Sequence, residues 1–166
     1  SSDNIAIGSR TLQDNTTGTI NIAIGKEALT DNTTGSYNVG LGKDALRNNT
    51  TGNNNTSVGY QAGYTSFSKS NNAFVGYQAG YSNNQSDNNA FGVQALYNNT
   101  TGRYNTAIGN TALNSNTTAN YNTAVGYQSL YANTTGEESA AFGYQAMKHT
   151  TSGGNAAFGY QCMANA

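Results

Sequence analysis

The chain has no proline and no tryptophan among its 166 residues, and only one cysteine and one histidine. Proline deletes a ladder hydrogen bond, so its absence leaves every residue able to join uninterrupted sheet pairing. A lone thiol, Cys162, excludes an internal disulfide framework. Charge is scarce as well: 9% of residues are charged and the net charge is -1. That balance gives no electrostatic basis for a nucleic acid or an anionic membrane as partner. No apolar run approaches the roughly 20 residues needed to cross a bilayer, so no membrane insertion is expected. No signal peptide is visible, and any targeting sequence is expected to lie outside this chain. In contrast, there are 27 Asn, 20 Gly and 12 Tyr. Low charge and high polarity suit a disordered tract, but the apolar residues here are too regularly spaced for that.

The stretch NIAIGKEALTDNTTGSY, residues 21–37, begins again in altered form at Asn38. Aligned on their openers, the phrases start at Asn4, Asn21, Asn38, Asn55, Asn72, Asn88, Asn105, Asn122, Ser139 and Asn155. The period is 17 residues, shortened to 16 after Asn72 and after Ser139. The repeats cover residues 1–166 as one domain. A Gly stands four residues after every opener, among them Gly25, Gly42, Gly59, Gly109 and Gly126. A bulky apolar residue precedes that Gly, and a small residue followed by Leu or Met comes after it.

Such a period is too short for two helices and their turns. It suits one coil of an all-β parallel β-solenoid of about ten coils, each with two short strands and two turns, stacked on its copies at about 4.8 Å. The openers Asn21, Asn38, Asn55, Asn105 and Asn122 are expected to form an amide ladder. The Gly residues are expected at a corner that needs positive φ or close backbone approach. Alternation places Ala23 and Ile24 on opposite faces. The bulky set is expected to fill the interior, leaving the Ala column to approach another backbone in a parallel oligomer. The alternative is that the Ala column merely lines a flattened monomeric coil.

NTAVGYQSL at 122–130 and NIAIGKEAL at 21–29 resemble the repeat of YadA-like heads in trimeric autotransporter adhesins. The full phrase is also similar to repeats of phage tail-fibre proteins. The resemblance implies a left-handed β-roll, a parallel trimer, and an extracellular setting on a cell surface or virion fibre. Its period is longer than that of the adhesin head, because the N-T-T-G loop is additional.

That loop is most simply the return turn of each coil. Three other readings attach to it. Asn15, Asn32, Asn49, Asn99, Asn116 and Asn133 lie in N-x-T sequons and are candidate glycosylation sites. Stacked Thr pairs suggest an ice-binding surface, although adjacent Thr side chains in an extended strand point to opposite faces. Lastly, the loops and the Tyr columns offer a surface for a glycan or a cell-surface receptor. The repeat breaks in its fourth and fifth copies, where Gly63 and Gly80 replace Leu and Phe74 replaces Ala. A bulge or kink is expected near residues 60–90, with Phe67, Lys69, Tyr64 and Tyr81 as the candidate contact, since loops carry function more often than scaffold does.

No catalytic constellation is legible. His149 and Cys162 lack a visible third member, and no metal spacing, phosphate loop or dinucleotide fingerprint occurs. No enzyme activity and no cofactor are expected. The sequence therefore points to a structural fibre segment, a trimer that displays a binding surface. Its alternatives are a self-assembling extracellular filament, built end to end without a specific ligand, and an ice-binding solenoid.

Overall fold

The computed structural model describes residues 2–165. Residues 1 and 166, included in the single domain expected above, lie outside the described residues. The chain is a β-solenoid. Ten three-residue strands form one parallel sheet in chain order: β1 (Ile5–Ile7), β2 (Ile22–Ile24), β3 (Val39–Leu41), β4 (Thr56–Val58), β5 (Ala73–Val75), β6 (Asn89–Phe91), β7 (Thr106–Ile108), β8 (Thr123–Val125), β9 (Ala140–Phe142) and β10 (Ala156–Phe158). Each coil sits on its copy residue for residue, as in Ala107↔Ala124 and Ile108↔Val125.

Two internal asparagine ladders tie the coils together. The backbone N–H of Asn38 donates to Asn21 Oδ1 at 2.9 Å, that of Asn55 to Asn38 Oδ1, and that of Asn122 to Asn105 Oδ1. The same side chains reach across the coil: Asn21 Nδ2 donates to the Gly35 carbonyl, and Asn105 Nδ2 to that of Ala119. A second ladder runs through the N-T-T-G loops, where Asn49 Nδ2 donates to Asn32 Oδ1 and to Gly52 O. The Asn residues that look like turn formers in the sequence are thus buried struts. A buried amide satisfied on both sides fixes register more sharply than an apolar group does.

Each coil has one strand, not the two expected. The residues after the Gly corner, such as 26–31, form a turn that still bonds to both neighbours: Glu27 N donates to Ser9 O in the coil before, and Leu29 N to Ala45 O in the coil after. Alternating the donors in this way requires left-handed backbone at two non-glycine positions, φ 60° at Glu27 and 49° at Leu29. The Leu or Met column adopts it in every coil where it is present, from Leu12 to Met163, at φ 48–53°. Left-handed backbone is costly for an L-residue, and ladder bonds on both sides hold it in place.

The two strand faces are reversed from the sequence expectation. The Ala column points inward: Ala23, Ala90, Ala107, Ala124 and Ala141 are fully buried against Leu29, Leu96, Leu113, Leu130 and Met147. The bulky column points outward, with Ile24, Phe91 and Ile108 about 40% exposed. A coil this narrow, with Leu entering from the turn side and Asn from the other, has room for only a methyl group on the strand. The expected bulge is also missing from the ladder, since β4, β5 and β6 pair in register through Ser57↔Phe74 and Phe74↔Ala90. Phe74 is fully buried and lies over Gly63 and Gly80, where a Cβ would come within 2.9 and 2.6 Å of its ring. One ring therefore fills the volume that two missing Leu side chains leave.

Candidate functional site

Three outward surfaces carry unusual residue columns. The first is the strand face. Its third-position side chains, from Ile7, Ile24 and Leu41 at one end to Val125, Phe142 and Phe158 at the other, form an apolar stripe along the whole rod; Ile5, Ile22 and Val39 widen it in coils one to three, and the same first position is Thr56, Asn89, Thr106 and Thr123 in coils four, six, seven and eight. Nine steps of about 4.8 Å make it about 43 Å long. Phe142 and Phe158 stack at 4.8 Å on this stripe. A continuous exposed apolar patch of this kind marks an interaction surface.

The second surface lies on the turn side of coils four to six. Tyr60 and Tyr77 stack at 5.4 Å. Tyr64, Tyr81 and Tyr97 stack at 5.1 Å with planes within 8°. Between these two Tyr columns runs a glutamine ladder, Gln94 Nε2 to Gln78 Oε1 and Gln78 Nε2 to Gln61 Oε1. Adjacency of the Gln and second Tyr columns is shown one coil earlier, where Arg47 reaches Glu27 at 3.4 Å, and one coil later, where Asn114 Nδ2 donates to Gln94 O. The Tyr81 phenol is pushed above its ordinary pKa by burial and by the neighbouring Tyr97, Tyr64 and Tyr60 hydroxyls and Asp44. Tyr64 and Tyr81 thus belong to one strip, whereas Phe67 stands alone, about half exposed in the loop beyond it. Lys69 is half-buried, and its carbonyl accepts Asn55 Nδ2 at 2.7 Å, so its backbone takes the structural place of the loop Gly. Coils eight to ten repeat the strip on one side, with Tyr127, Tyr144 and Tyr160 stacked along the Gln128, Gln145 and Gln161 ladder. Coil seven interrupts it with Asn110 and Thr111.

A charged network closes the strip at coils two and three. Glu27, nearly buried, is paired with Arg10, with Lys26 at 3.7 Å and with Arg47. Burial alone raises its carboxyl pKa, but Arg10, Arg47 and Lys26 outweigh that and hold the group below the usual range. Asp31 is pushed the other way, first by burial, against the pull of Arg47, and then by the like charges of Asp14 and Glu27. Lys43 lies over the Tyr60 ring and Arg47 over Tyr64, so cations cap both Tyr columns.

The third surface is the N-T-T-G loop. The first Thr of five of the Thr pairs turns its hydroxyl onto the next coil, as where Thr16 Oγ1 donates to Thr33 O, and Thr100 Oγ1 to Thr117 O. The second Thr, in Thr17, Thr34, Thr51, Thr101, Thr118 and Thr135, is exposed in every copy, whereas the first is exposed at Thr16, Thr100 and Thr134 and half-buried at Thr33, Thr50 and Thr117. The sequon asparagines are not available for glycans in the folded array. Asn32, Asn49, Asn99, Asn116 and Asn133 are fully buried, and each Nδ2 is spent on a loop carbonyl and on the Asn or equivalent amide one coil before. Asn15, in the first coil, is half-buried and bonds Gly18 O. Among the described residues no cluster of three or more His, Cys, Asp or Glu could hold a metal ion. His149 is exposed, and Cys162 packs partly buried against the end of the core. The outward strand stripe was missed in the sequence because alternation separates two faces without saying which is inside. The Tyr–Gln–Tyr strip was missed because residues three apart become neighbours only through the left-handed turn. Comparison with protein-family models, curated proteins and solved structures finds no match.

Proposed function

We propose that the chain is a structural fibre segment of an adhesin or tail fibre, a parallel trimer that extends outside the cell or virion and displays a glycan- or receptor-binding surface. The observation that carries this reading is the exposed Ile/Val/Phe stripe running the full length of the rod. It takes over the role that the sequence assigned to the Ala column. A straight stripe with one residue step per coil is matched along its whole length only by another rod lying parallel or antiparallel to it, which suits lateral packing of copies. Three copies about one axis and a left-handed winding come from the resemblance to adhesin heads. Buried polar ladders, rather than a large apolar core, keep the shaft stiff while its outer columns vary.

Light scattering of the purified chain tests the reading. The expected mass is three times 17.3 kDa, and a monodisperse species at the single-chain mass overturns it. The double variant Ile108→Lys/Val125→Lys places charge on the stripe without touching the core. It is expected to dissociate the assembly while leaving the β circular dichroism unchanged.

A further inference from the structure

We propose that the Tyr–Gln–Tyr strip of coils four to six binds an extended, uncharged chain of equatorially linked N-acetylhexosamines, of the kind found in chitin, lying parallel to the rod axis. The proposal rests on the display reading above for its setting, but uses a different face from the apolar stripe.

Four features select this ligand. First, the spacing fits. The tyrosine column advances 5.1 Å per coil, and an extended equatorially linked hexose chain advances by nearly the same length per sugar, so one sugar meets each coil. Secondly, successive sugars in such a chain are rotated by half a turn. Each edge group therefore alternates between the two sides of the chain. In coils four and five the strip carries the same residue on both sides, Tyr60 and Tyr77 opposite Tyr64 and Tyr81, and meets either orientation with a phenol; in coil six the exposed Val93 stands opposite Tyr97. Thirdly, the floor is an amide ladder. The middle amide, Gln78, spends one N–H and one lone pair along the ladder, while Gln61 only accepts and Gln94 only donates, so every rung keeps at least one donor and one acceptor for an acetamido group. Fourthly, columns 60–97 of the strip hold no charged side chain, and the cations that border it at Lys43 and Arg47 are already engaged with the Tyr60 and Tyr64 rings. The stacked rings cover one another's faces, so contact is made through ring edges, hydroxyls and amides. That favours a ribbon laid along the ladder over a single sugar stacked on one ring.

Titration calorimetry on the intact chain tests the proposal with chitohexaose, cellohexaose and maltohexaose. Chitohexaose is expected to bind, cellohexaose about tenfold more weakly for want of the acetamido bonds, and the curved maltohexaose not at all. Affinity is expected to rise from chitobiose to chitotriose and then level off, because three rungs are available. Tyr81→Phe keeps the stacked ring and removes the hydroxyl. It and Gln78→Ala are each expected to weaken binding about tenfold, while Tyr144→Phe on the one-sided strip leaves it unchanged. Absence of chitohexaose binding, equal binding of either other hexamer, or full binding by both Tyr81→Phe and Gln78→Ala overturns the proposal. The oligomeric mass is read separately, so failure of the trimer and failure of the glycan site give different results.

Discussion

At the scale of single residues, the fold depends on two kinds of position that tolerate almost no substitution. Asn105 accepts from the Asn122 N–H and donates to Ala119 O, a carbonyl that Asn116 Nδ2 also reaches, so Asn105→Ala strands the buried Asn122 N–H and leaves Ala119 O its second donor. At about 1–3 kcal/mol for an unsatisfied buried group, the loss is expected in that range, read as a lowered midpoint in chemical denaturation. At Gly109, φ is 132° and a Cβ would sit 2.4 Å from Gly126 O; Gly159 has a similar φ of 129° with nothing within 4 Å of its Cβ. Gly159→Ala should therefore cost only the backbone strain, about 1–3 kcal/mol, and Gly109→Ala should cost clearly more by the same denaturation assay; equal costs would show that the clash is relieved by a small shift. Both columns are legible in the sequence because Gly recurs in every copy and Asn in every copy but one, where the Ser139 hydroxyl accepts the Asn155 N–H in its place. The left-handed Leu column is not legible. Leu29 at φ 49° contradicts its own preference, and only the ladder bonds on either side, which no local pattern announces, hold it there.

At the scale of the coil, volume decides what the alternation pattern leaves open. The sequence separates Ala23 from Ile24 but is silent on which lies inside, and bulk is a poor guide when Leu and Asn already enter the same narrow space. The compensation at coils four and five was legible, because Phe74 appears where Gly63 and Gly80 remove Leu. It also makes a non-additive prediction. Phe74→Ala alone leaves a cavity, at about 3–5 kcal/mol, and Gly80→Leu alone collides with the ring. The triple variant Phe74→Ala/Gly63→Leu/Gly80→Leu restores the regular repeat and should be far more stable than the sum of its parts, as a thermal melt would show. The charged end of the rod adds a pH dependence with two opposing signs. Glu27 has a depressed folded pKa, so its contribution is full above the ordinary Glu value of about 4.3 and is lost as pH falls through the lower folded value. Asp31 has a raised folded pKa, so it penalises the fold at neutral pH and the penalty lifts as pH falls through its folded value. Asp31→Asn should therefore raise the melting temperature at pH 7. Glu27→Gln should lower it there and flatten the loss below about pH 4. A Glu27→Gln protein with an unchanged acid limb would remove Glu27 from the account.

At the scale of the whole molecule, each strand touches only the strands before and after it, so stability is a chain of nearest-neighbour terms. Coils should then be removable in whole units. Deleting residues 105–121 joins Tyr104 to Asn122 and recreates a junction already present in the rod. Asn88 then receives the Asn122 N–H, Ala90 lies beneath Ala124, and Leu96 beneath Leu130, all pairings the regular repeat uses. This protein should fold, keep its assembly through a stripe shortened by about 4.8 Å, and lose little stability. Deleting residues 72–87 removes a coil of nearly the same length with a different consequence. Gly63 is left without the Phe74 ring that covers it, and Ala90 in the next coil cannot fill the space. Its denaturation midpoint should fall well below that of the first deletion. Removing residues 105–112 shifts every column out of register, so neither Asn ladder can close across the cut, and the protein should lose its sheet signal from coil seven onward. Equal midpoints for the two whole-coil deletions would mean that Phe74 is an ornament of drift and not the member that spans two weakened coils.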